Sequence, residues 1–76
     1  MDVEEIVMVW ADDHRLDIEW GYDPENSPRQ HFFFVERGFS SSALSDLEYV
    51  LGRVNYVVDM AYETKDGRVL VEIAPY

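Results

Sequence analysis

Residues 5–22 read EIVMVWADDHRLDIEWGY, and the assignment of this stretch decides the fold. Its second half alternates cleanly. Leu16, Ile18, Trp20 and Tyr22 point one way, while Asp17 and Glu19 point the other, which is the period-two signature of a half-buried strand. The first half, residues 5–11, is apolar almost throughout, with Ile6, Met8 and Trp10 interleaved with Val7, Val9 and Ala11. Its β-branched and large apolar side chains favour a strand that is apolar on both faces. Asp12-Asp13-His14 supplies turn chemistry between the two halves. Residues 5–22 therefore predict a β-hairpin.

The rest of the chain is read outward from that hairpin. Residues 23–29 hold Pro24, Pro28, Asn26 and Ser27 and form a loop. Residues 30–37 form a third strand, with Phe32 and Phe34 alternating against Phe33 and Val35 until Gly38 breaks it. Residues 40–54 carry Leu44, Leu47, Leu51 and Val54 at spacings of three and four, which places them on one face of a helix. Ser40 is its N-cap, with Phe39 and Leu44 at the staple positions, although Ser45-Asp46-Leu47-Glu48 offers a competing capping box. Gly52 and Asn55 are its exit residues. In residues 56–64, Tyr56, Val58, Met60 and Tyr62 share one face, opposite Asp59 and Glu63. Lys65-Asp66-Gly67-Arg68 is a hairpin turn, and Val69, Val71 and Ile73 form the inward face of the last strand. The expected fold is a single α+β domain over residues 1–76. Its antiparallel sheet has five strands with one helix packed on it, in the order β-β-β-α-β-β.

Charge is the strongest compositional signal. The 76 residues carry 16 acidic and six basic side chains, for a formal net charge of -10. Asp2, Glu4, Glu5, Asp12, Asp13, Asp17, Glu19, Asp23 and Glu25 crowd the first 25 residues, opposed there only by Arg15. Such density repels itself and makes nucleic acid a poor partner and a basic protein surface a good one. With 47% hydrophobic and 14% aromatic residues the chain nevertheless folds. The absence of cysteine excludes disulfides, thiol catalysis and a thiolate zinc site. Met1-Asp2-Val3-Glu4-Glu5 has the wrong sign for a signal peptide, and apolar runs such as residues 6–11 are too short for a bilayer. A cytoplasmic protein is expected, in the host cytoplasm if the gene is carried by a phage.

No catalytic, cofactor-binding or metal motif stands out. His14 beside Asp12 and Asp13 is the nearest approach to a metal site, but adjacent residues suit a turn better than convergent coordination. His31 has no serine, cysteine or carboxylate at triad spacing. Gly21, Gly38, Gly52 and Gly67 are dispersed and make no phosphate loop. Most of the aromatic residues are assigned to the core rather than to a base-stacking platform, because a positive groove is missing.

The expected function is that of a non-enzymatic inhibitor or decoy that occupies a basic, nucleic-acid-binding protein. By analogy of class this is the profile of viral proteins that block CRISPR or restriction enzymes, including DNA mimics. The expected partner contacts are Asp12, Asp13, Asp17, Glu19, Tyr22, Asp23 and Glu25. An immunity protein that neutralises a nuclease toxin uses the same physics. A small ligand-binding or enzymatic dimer with an interfacial pocket is the alternative of another class, and a merely solubilising acidic surface is the plainest one. Because two strands are apolar on both faces and one helix covers only one, Val7, Val9, Phe32 and Phe34, extended by Val57, Ala61 and Leu70, are expected to form a homodimer contact or a target-binding patch, the alternative being a sheet twisted tightly onto its own loops.

Overall fold

The computed structural model describes residues 2–21 and 31–76. The chain runs α1 (Val3–Asp13), β1 (Ile18–Gly21), β2 (His31–Val35), α2 (Ser41–Gly52), β3 (Tyr56–Glu63) and β4 (Val69–Pro75). The strands form one four-stranded antiparallel sheet in the order β1-β2-β4-β3, and both helices pack on the same face of it. This corrects the expected five-stranded sheet with one helix and the order β-β-β-α-β-β. The molecule is an α+β fold with four strands and two helices, because the stretch read as the first strand is a helix.

The physical reason lies in the ends of that stretch. Asp2 caps the helix, its side chain accepting the Glu5 amide at 2.9 Å. Asp2 and Glu5 therefore stand at the N-cap and N3 positions of a capping-box spacing. Glu4 and Glu5 in the first turn complement the positive end of the helix dipole. Val3, Val7, Trp10 and Ala11, at i, i+4, i+7 and i+8, are the buried residues, which is a helical stripe. An unbroken apolar run satisfies periods of 2 and 3.6 equally well, so periodicity alone could not decide. The far end closes as a Schellman motif. The Leu16 amide donates to the Ala11 carbonyl at 2.8 Å and the Arg15 amide to the Asp12 carbonyl at 3.1 Å. Arg15 takes the left-handed conformation, with φ 55°, and Leu16 and Ala11 are both buried against the core. Asp12-Asp13-His14 is thus a helix end and not a hairpin turn.

The second helix is as expected. The Ser40 side chain accepts the Ala43 amide, and Ala43, Leu47 and Leu51 are buried. Asn55, at φ 62°, makes the exit, and its carbonyl accepts the Tyr76 amide at 2.7 Å. The Trp10 indole N–H donates to the Ala43 carbonyl at 2.8 Å, tying the end of α1 to the start of α2. The two helices therefore run antiparallel.

Register fixes the two faces of the sheet. Phe33 pairs with both Trp20 and Val71, and Val35 with Ile18 and Val69, all toward the helices. Phe33, Val35, Val71 and Ile73 are fully buried there, with Val7, Leu47 and Leu51 opposite. Phe34 pairs with Glu19 and Leu70, and Phe32 with Gly21 and Glu72, on the other side. Strand β3 changes face midway. Val58 pairs with Ile73, but Met60 pairs with Glu72, so Asp59 is the extra residue of a β-bulge. Tyr56 and Val58 consequently point to the helices, while Met60 and Tyr62 point away. The single face expected for all four residues is split by that insertion. The β3–β4 turn follows expectation, with Gly67 at φ 88°.

Candidate protein-interaction surface

The side of the sheet away from the helices has no second layer over it among the described residues. Alternation places Phe32 and Phe34 of β2, Leu70, Glu72 and Ala74 of β4, and Val57, Met60 and Tyr62 of β3 on this side. Phe32 and Phe34 are half-buried because they lie down on the sheet. The Phe32 ring occupies the space above Gly21, where a Cβ would stand 2.1 Å from it, so any other residue at that point would push the ring aside. Phe32 and Phe34 meet edge to face at 6.1 Å. The Arg68 guanidinium stacks 4.3 Å above the Phe34 ring. The β3 side stands more open, with Met60 49% and Tyr62 48% exposed.

Carboxylates ring this apolar centre. Glu19 projects beside Phe34, and Glu72 stands between Phe32 and Met60. Asp17, two residues before Glu19, continues the same alternation and is exposed. Glu36 is 3.8 Å from the Arg68 guanidinium. Arg68 is already engaged, since its Nε also donates to Asp66 at 3.0 Å. Asp66 accepts from the Thr64 hydroxyl and from the Arg68 backbone N–H, and these bonds with the nearby guanidinium hold its carboxyl below the usual aspartate value.

The acidic residues expected as partner contacts do not form one site. Asp17 and Glu19 lie at the β1 edge of the open face. Asp12 and Asp13 belong to the last turn of α1, on the helix layer. Tyr22, Asp23 and Glu25 lie outside the described residues. The expected apolar patch is also divided. Val7 is fully buried in the core, and Val9 is exposed on the helix layer. Only Phe32 and Phe34 of that set reach the open sheet face. Both valines were misplaced because α1 was read as a strand.

His14 does not meet Asp12 and Asp13 as a metal site; its Nε2 lies 3.0 Å from the Asp46 carboxylate of α2. No group of three or more potential metal ligands exists among the described residues. His31 faces inward between Trp20 and Tyr56, 4.0 Å from the Glu4 carboxylate, and no charged residue is buried beside it. No helix among the described residues is long and apolar enough to cross a membrane.

Two features escaped the sequence reading. Met60 and Tyr62 join the open face only through the bulge at Asp59, and the Glu72 carboxylate completes the rim from the strand between β2 and β3. No family model, curated protein or solved structure matches the chain.

Proposed function

We propose that this is an acidic protein-binding module that occupies a basic surface of a nucleic-acid-binding protein and thereby inhibits or sequesters it. The supporting observation is the apolar sheet face that bears no second layer among the described residues, centred on Phe34, Leu70, Met60 and Tyr62 and rimmed by Asp17, Glu19, Glu36 and Glu72. An apolar aromatic centre inside a polar rim is the anatomy of a protein interface. The sign of the rim selects the partner. Two copies packed face to face would set these carboxylates against one another, and like-charge juxtaposition costs several kcal/mol. A Lys- and Arg-rich surface would meet them with opposite charge, and a net charge of -10 would steer its approach.

The test is comparative affinity capture from lysate of the source cells, read by mass spectrometry, with wild type, Asp17→Lys/Glu19→Lys and Met60→Lys. A basic nucleic-acid-binding protein should be retained by wild type and lost with both variants. Capture should weaken as salt rises from low to physiological concentration, where the Debye length is about 8 Å. Light scattering on the protein alone should give a monomer. A dimer that strengthens with salt and is broken by Met60→Lys would assign the face to a second copy of the chain.

A further inference from the structure

On the opposite layer, α1 and α2 enclose an open groove of about 740 Å³. Ile6, Val9, Trp10, Val50 and Val54 make it apolar, and the Tyr49 ring, 71% exposed, stands on its rim. Its two ends differ in charge. Asp13 and Asp46 stand at one end with His14, and Arg53 stands at the other. The last turn of α1 contains no basic residue, so Asp12 and Asp13 sit where the dipole of α1 disfavours them, whereas Glu4 and Glu5 sit where it favours them.

We infer that this groove docks an amphipathic helix of a partner protein, with its N-terminal turn at Asp13 and Asp46 and its C-terminal turn at Arg53. The surface is separate from the sheet face and does not depend on it. Along α1 the groove runs from Ile6 to Asp13, and along α2 and the exit from it from Asp46 to Val54, so each wall is roughly 10–12 Å long. That length takes two to three turns, with apolar side chains at i, i+3 or i+4, and i+7 against Val9, Trp10 and Val50. The docked helix runs parallel to α2 and antiparallel to α1. Its positive dipole end and any Lys or Arg of its first turn meet the carboxylates, while its carbonyl end meets Arg53.

Two synthetic peptides of about 14 residues test this. Both carry the same leucine stripe; one has lysines in the first turn and glutamates in the last, and its twin has the charges exchanged. Titration into the isotopically labelled protein, followed by amide chemical shifts, locates the site and ranks the two. The lysine-first peptide should shift Val9, Trp10, Tyr49 and Val50 and bind about tenfold tighter than its twin, the effect of 1.4 kcal/mol. Tyr49→Glu, at an exposed position, should weaken it by a similar factor, and Asp13→Lys should abolish the preference between the twins. Met60→Lys, on the sheet face, should leave it unchanged. Equal affinities for the twins, shifts confined to the sheet, or no saturable binding would each overturn the inference; the first and last leave the sheet face as a docking surface untouched, and shifts confined to the sheet would move the peptide onto that face.

Discussion

Arg15 holds a left-handed backbone conformation at the close of α1, which for a residue with a Cβ costs roughly 1–2 kcal/mol. Glycine is the usual occupant of this position in a Schellman motif. The Arg15 carbonyl accepts from the Arg37 guanidinium at 2.7 Å, a contact that glycine would keep. Arg15→Gly should therefore raise stability by about 0.5–1 kcal/mol, the relief of strain exceeding the added freedom of the unfolded chain. Urea denaturation would show it, and a lower midpoint would mean that the Arg15 side chain itself stabilises the fold. Asp66 offers a second test at this scale. Its carboxyl is held below the usual value by the Thr64 hydroxyl, the Arg68 backbone amide and the Arg68 guanidinium. A folded pKa lower than the unfolded one means that the ionised form is stabilising at neutral pH. That contribution is present above the ordinary aspartate value of 3.8 and is lost as pH falls through the lowered one. Asp66→Asn should lower the melting temperature at pH 7, and the gap from wild type should close as pH drops below 3.8. A gap independent of pH would assign the effect to geometry rather than charge.

At the scale of elements, α2 is the keystone of the helix layer. Leu47 is fully buried among the core residues contributed by both helices and the sheet, so Leu47→Ala should cost about 2–5 kcal/mol. Thermal denaturation checks this, and an unchanged melting temperature would detach the helix from the sheet. Strand β1 and helix α2 were legible because each carried a periodicity that excluded the alternative. Asp17 and Glu19 interrupt β1 in a way no helix allows, and the leucines of α2 recur as no strand allows. Residues 6–11 contained no such interruption, and only the Asp2-to-Glu5 cap spacing distinguished the helix. The bulge at Asp59 was equally hidden, since an extra residue in an edge strand changes no local pattern. That one residue decides whether Met60 and Tyr62 belong to the core or to the open face. Of the candidate surface, Phe32, Phe34, Asp17, Glu19 and Leu70 were therefore readable in advance, while Met60, Tyr62 and Glu72 required the register.

At the scale of the molecule, repulsion among the acids opposes the fold, and salt should show it. The fold extends 27 Å along its longest principal axis, while the Debye length is about 30 Å at 0.01 M salt, so at that concentration the carboxylates interact across the whole fold. Raising salt to 0.15 M, where the length is about 8 Å, should raise the melting temperature of the isolated protein. The same change should weaken its complex with a basic partner, and a melting temperature insensitive to salt would mean that the acids are spaced too widely to matter. The central claim is that the partner covers the open sheet face, and two methionines report on it directly. Met60 on that face and Met8 on the helix layer are each 49% exposed, so peroxide should oxidise them at similar rates in the isolated protein. Mass spectrometry of the complex with the captured partner should show Met60 protected and Met8 still reactive. Met60 oxidised as fast in the complex as in the isolated protein would contradict the account.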